Sequence, residues 1–163
     1  MVNFKSFRGI ITQFSDFSTG QNGAAEGCYK LMTLEDGQGS IVTFVISPST
    51  YFVNQEIVTL GDWITAYYDG DAPVPMIYPP QYRALIVVKE NNYQHVKVDF
   101  FNNQFVSSDG QLQLNLSRQT PIFLKNGQPF LKSPANRNLI VIYGPTTRSI
   151  PAQTSPQEVI VWC

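Results

Sequence analysis

The stretch Ile64-Thr65-Ala66-Tyr67 has a similar counterpart later in the chain, Ile140-Val141-Ile142-Tyr143. The two stretches lie 76 residues apart, and the same spacing relates Pro75, Pro80 and Gln81 to Pro151, Pro156 and Gln157. At this spacing Ala84 and Leu85 also correspond, without a gap, to the apolar residues Ile160 and Val161. Self-similarity at one fixed spacing is typical of a duplicated unit. Each copy is therefore predicted to contain a strand, a proline-rich loop and a second strand.

The pattern of apolar residues outward from this repeat indicates strands. Leu112 and Leu114 alternate with polar residues, which is the period of two expected for a strand with one face in water. Residues 41–46 and 84–88 are apolar on both faces, so these two strands are expected to lie centrally. A helical period does not persist beyond one turn, and we expect a single helical turn near Thr50–Gln55. The fold class predicted is all-β.

Two units follow from the repeat. We place the first unit at residues 4–90 and a second, shorter unit at residues 96–163, with the polar residues 91–94 as a connector. The first unit has five main strand candidates: Phe7–Phe14, Cys28–Leu34, Ser40–Ile46, Trp63–Tyr68 and Ala84–Val88. Asp36-Gly37, Asp109-Gly110 and Asn126-Gly127 supply the turn chemistry that tight hairpins require.

Five antiparallel strands with a glycine early in the first, here Gly9, resemble the OB-fold, a small Greek-key barrel. Gly9 is expected to supply the sharp bend that a barrel strand needs. The resemblance covers the topology of nearly the whole chain and implies two tandem OB-like β-barrels. A β-sandwich or one fused barrel is the structural alternative.

The resemblance also implies a ligand site. OB-folds bind their ligands across strands two and three. The ligand lies between the loop that joins strands one and two and the loop that joins strands four and five. In this chain those loops are residues 15–27 and 69–81, the longest irregular segments of the first unit. The candidate ligand-binding residues are Phe17, Tyr29, Tyr68, Tyr78, Tyr82 and Arg83, with core packing as the alternative for Tyr29 and Tyr68.

The segment Pro73–Arg83 is stiff, because its four prolines, Pro73, Pro75, Pro79 and Pro80, fix the backbone and remove hydrogen-bond donors. Three interpretations stay open. The segment is a rigid loop that closes a barrel, or a stiff loop whose Tyr78, Tyr82 and Arg83 recognise a ligand. In the third interpretation Pro79-Pro80-Gln81-Tyr82 is itself a ligand for a WW-type domain.

Charge and composition exclude some classes of partner. The formal net charge is -1, charged residues make up 14% of the chain, and the lysines and arginines are scattered. Binding of long nucleic acid needs a basic stripe, which this sequence lacks, so nucleic acid is not the expected partner. Weak surface charge also gives little repulsion between copies, which favours self-association into a homo-oligomer.

The sequence predicts no enzyme, metal site or cofactor. His95 is the single histidine and falls near the connector, and Asp69-Gly70-Asp71 is followed by Ala-Pro-Val-Pro instead of calcium ligands. Cys28 and Cys163 do not form a disulfide framework. The start of the sequence has no secretory pattern and no apolar run reaches ~18 residues, so we expect a cytoplasmic protein without membrane contact.

These observations together predict a non-enzymatic binding or scaffolding module. The expected partner is another protein or a second copy of the chain. Binding of a carbohydrate or cell-envelope glycan, or of single-stranded nucleic acid through the first barrel, is the alternative.

Overall fold

The structure is a computed structural model that describes residues 1–17, 23 and 26–163. In these residues the chain forms thirteen strands, one 3-10 turn at Val53–Gln55 and no α-helix, so the all-β prediction is confirmed. The strands are β1 (Phe4–Asp16), β2 (Lys30–Glu35), β3 (Ile41–Ile46), β4 (Tyr51–Phe52), β5 (Trp63–Asp69), β6 (Gln81–Arg83), β7 (Ile86–Lys89), β8 (His95–Phe101), β9 (Leu112–Leu114), β10 (Ile122–Leu124), β11 (Arg137–Tyr143), β12 (Ala152–Thr154) and β13 (Glu158–Val161).

The chain divides into two compact units, Met1–Glu90 and Asn91–Cys163. The first unit holds one seven-stranded sheet in the order β4-β7-β5-β1-β2-β3-β6. Its central strands are antiparallel, whereas β3 with β6 and β4 with β7 are parallel. The expectation of purely antiparallel strands is therefore wrong, because the short strands β4 and β6 run in the same direction as their neighbours.

Strand β1 bends where it changes partner. Residues from Phe4 to Ile10 pair with β5, and residues from Ile10 to Asp16 pair with β2. A Cβ added at Gly9 would lie 2.8 Å from the carbonyl oxygen of Glu35, so glycine is required for this close approach of β1 to β2. The register shifts by a bulge between Ile11 and Gln13, and a bulge increases the local bend and twist.

The segment that leads into β7 also changes its pairing strand, and it does so between the adjacent residues Ala84 and Leu85. The N–H of Ala84 donates to the carbonyl oxygen of Val45 on β3 at 3.1 Å, and the N–H of Leu85 donates to Tyr67 on β5 at 2.8 Å. The hydrogen-bonded order begins at β4 and ends at β6, so the sheet does not close on itself. The closed barrel that we expected is therefore not present, because the pairing splits between β3 and β5 at Ala84.

The second unit holds a four-stranded sheet in the order β10-β13-β11-β8 and a separate two-stranded sheet of β9 and β12. Strand β11 is antiparallel to β8 and β13, whereas β10 with β13 and β9 with β12 are parallel. Neither sheet is closed, so a second closed barrel is not present either.

The register of the last strands differs from the ungapped spacing of the sequence. Ile64 lies opposite Lys89, whereas Ile140 lies opposite Ile160. If Ile64 corresponds to Ile140, then Lys89 corresponds to Ile160 at a spacing of 71 residues. The ungapped spacing therefore does not hold at the last strands, because Ile160 takes the pairing position of Lys89 and not that of Ala84.

Each unit has its own apolar core. In the first, Phe44, Met32 and Ile64 are fully buried, and in the second Phe101, Leu139 and Val141 are fully buried. Strand β3 is buried from Val42 to Ile46, so this run is covered on both faces as expected, although it lies next to the edge strand β6 and not at the centre of the sheet. Within the described ranges, none of the helical structure is long and apolar enough to cross a membrane.

Candidate functional site

A cleft of about 550 Å³ opens at one end of the first unit's sheet. One wall is formed by Tyr68 and Asp69 at the end of β5 and by the following residues 72–75. Residues 81–83, which are strand β6, also line the cleft. Phe17 and Tyr29, which flank the pairing of β1 with β2, line the cleft as well, and Phe17 N–H donates to the carbonyl oxygen of Tyr29 at 2.8 Å. The size is typical of pockets that hold small ligands.

Two aromatic rings from different strands stack in this cleft. The ring centroids of Tyr68 and Tyr82 are 4.0 Å apart and the planes differ by 14°. Both rings also contact Phe44, at centroid distances of 5.9 and 6.0 Å. Phe44 is fully buried and lies directly opposite Tyr82 in the pairing of β3 with β6. The stacked pair is therefore held on the core of the unit, with one side turned to the cleft.

Tyr68 carries no charge near neutral pH. Burial, and then the neighbouring Tyr82, raise the pKa of Tyr68 above its usual value. A desolvated phenol resists ionisation because the phenolate loses its hydration. The aromatic wall therefore offers ring surface and hydroxyl groups to a ligand.

Asp69 and Arg83 are the two charged side chains that line the cleft. One oxygen of the Asp69 carboxylate accepts hydrogen bonds from the N–H groups of Asn3 at 3.2 Å and Asp71 at 3.0 Å. Asp69 is thus engaged in the turn that follows β5. Arg83 is exposed and, within the part of the chain that the structure describes, makes no hydrogen bond or ion pair. Its guanidinium is available to a ligand.

Five of the six residues selected from the sequence line this one cleft: Phe17, Tyr29, Tyr68, Tyr82 and Arg83. Tyr78 is not among the lining residues, and 79% of its surface is exposed. Of the loop at residues 15–27, residues 18–22 and 24–25 lie outside the described residues. Tyr82 is half-buried and stacked on Tyr68, so Pro79-Pro80-Gln81-Tyr82 is not displayed as a WW-domain ligand would be.

Sequence reasoning missed other lining residues, among them Val2, Val45 and Leu85. Val45 lies opposite Arg83 in the pairing of β3 with β6, so knowledge of that pairing would have identified it. The spacing of residues gives no signal for Val2, which reaches the cleft because β1 pairs with β5 up to Asp69.

The sequence's other candidate groups lie elsewhere. Asp71 accepts a hydrogen bond from the Asn3 side chain at 3.2 Å, which fits a turn. His95 is exposed at the start of β8, and its ring lies 5.5 Å from that of Tyr143. Among the residues that the structure describes, no three or more His, Cys, Asp and Glu side chains are grouped to hold a metal ion.

Comparison of the chain with models of protein families, with curated proteins and with solved structures finds no match.

Proposed function

We propose that this protein is a non-enzymatic binding module whose first unit holds a segment of a protein partner in the cleft between β5 and β6. The observation that carries the proposal is the stacked pair Tyr68 and Tyr82, which forms a rigid aromatic wall beside the unpaired cation Arg83. Rigid aromatic groups lose little conformational entropy on binding and are enriched where proteins contact proteins.

The chemistry of the walls favours a protein over a polyanion. Pro73, Val74 and Pro75 make the lining beside β5 apolar, and Arg83 is the only cation among the described residues that line the cleft. Binding of single-stranded nucleic acid depends on a basic groove along the backbone, which one arginine does not supply. A protein segment needs apolar contact and a few hydrogen bonds, and the cleft provides both.

A glycan is the second candidate, and the tyrosines and Gln81 that line the cleft favour it. Aromatic faces and amide groups are suited to sugar rings and their hydroxyls. Stacking of Tyr68 on Tyr82 covers one face of each ring, however, which leaves less ring surface for a sugar than two separate tyrosines would.

The architecture proposed with this function is a pair of related, partly open OB-like units. The order β4-β7-β5-β1 of the first unit and the order β10-β13-β11-β8 of the second have the same parallel and antiparallel neighbours. The parallel pair β3 with β6 likewise has a counterpart in β9 with β12. Shared pairing supports one duplicated unit, in which the hairpin β1-β2 of the first copy corresponds to an isolated antiparallel bridge between Phe101 and Ser107 in the second. A cytoplasmic location stays part of the proposal and rests on the sequence.

The test is selection of a displayed random heptapeptide library on the purified full chain. We expect peptides that bind the wild type and Tyr78→Ala equally, because Tyr78 lies outside the cleft. Tyr82→Ala and Val74→Lys should each weaken the same peptides at least tenfold. Val74 lies on the exposed loop, so Val74→Lys keeps the test valid if Tyr82→Ala unfolds the unit.

Failure to select any peptide would overturn the protein-partner proposal. A glycan array read with the same variants then decides the second candidate, since loss of a glycan signal with Val74→Lys but not with Tyr78→Ala would support it. Binding of a single-stranded oligonucleotide that weakens steeply with salt would instead support a nucleic-acid partner.

A further inference from the structure

We infer that the segment held in the cleft is an extended peptide with a carboxylate, which pairs its backbone with the free edge of β6 and places the carboxylate on Arg83. This inference rests on the proposed function and specifies the chemistry of the ligand.

Strand β6 is an edge strand with one paired side. Thr43 N–H donates to the carbonyl oxygen of Pro80 at 2.9 Å, and Ala84 N–H donates to that of Val45 at 3.1 Å. Successive residues of a strand direct their backbone groups to opposite edges. The N–H and C=O groups of Gln81 and Arg83 therefore point away from β3, and no strand in the described part of the chain pairs with that edge.

The free edge of β6 opens on the cleft. Gln81 and Arg83 both line it, as does the loop that contains Pro73, Val74 and Pro75. Proline has no N–H, so Pro73 and Pro75 remove both donors from the same edge of this loop, and no strand of the described residues pairs with β6 on this side.

An added peptide strand would supply hydrogen-bond partners for the free backbone groups of this edge. Two N–H and two C=O groups from Gln81 and Arg83 match a short extended segment, which is the mode called β-strand addition. Main-chain hydrogen bonds of this kind give affinity, and alternate side chains of the ligand give specificity. The stacked rings of Tyr68 and Tyr82 lie beside the same edge and offer apolar contact to those side chains.

The charged side chains that line the cleft favour an acidic ligand. Among the described residues Arg83 is exposed and has no partner, whereas Asp69, which also lines the cleft, already accepts two backbone hydrogen bonds. A guanidinium binds a carboxylate through two parallel, charge-assisted hydrogen bonds. A ligand with Asp, Glu or a chain-terminal carboxylate near its paired segment is therefore favoured over a neutral or basic one.

The experiment uses heptapeptides selected from a random library on the wild-type chain. We expect the selected peptides to be enriched in acidic residues. N-methylation at one set of alternate residues should weaken binding at least tenfold, and at the other set much less, because one edge of the peptide pairs with β6. Arg83→Gln should weaken binding at least tenfold, and Arg83→Glu should change the preference to basic peptides. Arg118→Gln, an exposed arginine of the second unit, is the control and should bind as the wild type does.

The outcomes separate this inference from the proposed function. Peptides that depend on Val74 and Tyr82 but tolerate every N-methyl group, or bind Arg83→Gln normally, would overturn the inference and leave the binding module standing. Selection of no peptide at all would overturn both.

Discussion

The rings of Tyr68 and Tyr82 stack at 4.0 Å although their strands, β5 and β6, are not hydrogen-bonded neighbours in the sheet. The contact bridges the place where the backbone pairing divides between β3 and β5. Two sides of an open sheet are thereby joined by side chains in place of backbone hydrogen bonds. The same rings form a wall of the cleft, so stability of the first unit and binding are expected to share these residues.

Tyr82→Ala should lower the free energy of unfolding of the first unit by about 2–3 kcal/mol, because it removes the stack on Tyr68 and the contact with Phe44. Tyr78→Ala should change it by less than about 0.5 kcal/mol, since Tyr78 is largely exposed. Urea unfolding followed by Trp63 fluorescence, in a Trp162→Phe background, reports on the first unit alone. Equal effects of the two variants would contradict the structural role of the stack.

Alkaline pH should destabilise the first unit through Tyr68. Burial, and then Tyr82, raise the pKa of Tyr68 in the folded state. The stabilisation is fully present below the pKa of the unfolded chain, about 10, and is lost as pH rises through the higher folded value. Urea midpoints measured from neutral to alkaline pH by Trp63 fluorescence should fall in the wild type. Tyr68→Phe, which cannot ionise at this position, should fall less steeply, and parallel curves would contradict the prediction.

Gly9→Ala should destabilise the first unit by about 2 kcal/mol, because the new Cβ would meet the Glu35 carbonyl oxygen at 2.8 Å. Gly144→Ala is the matched control in the second unit. Its Cβ would meet only the end of the flexible Gln157 side chain, at 3.2 Å, so we expect a change below about 0.5 kcal/mol. The two Trp reporters, Trp63 and Trp162, measure these effects by urea unfolding. A Gly9→Ala variant as stable as the wild type would show that β1 can move away from β2.

Acid should destabilise the second unit through Asp109, in the turn after β8. Burial acts to raise the pKa of Asp109, but hydrogen bonds from Lys97, Ser107 and the Gln111 N–H outweigh burial and lower it. The stabilisation is present above the unfolded pKa and is lost as pH falls through the lowered folded value. Trp162 fluorescence in a Trp63→Phe background should show a stability difference between wild type and Asp109→Asn that shrinks in acid.

The control for Asp109 is Asp36→Asn, in a turn of the first unit where the Asp36 carboxylate accepts hydrogen bonds from Gln38 N–H at 2.8 Å and Ser40 N–H at 3.1 Å. This variant should leave the transition seen by Trp162 unchanged. A difference between wild type and Asp109→Asn that stays constant into acid would show that the carboxylate's charge is not what stabilises the turn.

Local sequence patterns predicted the long strands well. Alternation and apolar runs placed β1, β2, β3, β5 and β7 within a few residues of their observed bounds. The parallel strands β4, β6, β10 and β12 have only two or three residues each, and they exist because a partner strand lies beside them. No local period marks such strands, so sequence reasoning could not find them.

The positions of the loops predicted where the cleft lies. Which residues of those loops line it depends on the direction of each side chain. The loop argument selected Tyr78 together with Tyr82 because both belong to one proline-rich segment. Strand β6 holds Tyr82 against Phe44, whereas Tyr78 precedes the strand and points to solvent. The register of the last strand was missed for a related reason, since the segment between β11 and β13 is shorter than that between β5 and β7, which changes the spacing without altering the strand pattern.

The exposed apolar residues of the proline-rich loop predict self-association of the full chain. Met76 is fully exposed, and Ile77 and Tyr78 are 53% and 79% exposed. A contiguous exposed apolar segment on a weakly charged protein is favourable to bury between copies. Sedimentation velocity over a wide concentration range should show a mass that rises with concentration in the wild type. Met76→Lys with Ile77→Lys should remain monomeric, because two like charges per copy oppose the contact.

Ile57→Lys with Leu60→Lys is the matched control on another exposed loop and should associate as the wild type does. A wild type that stays monomeric throughout, or a control pair that also blocks association, would rule out the loop as the contact.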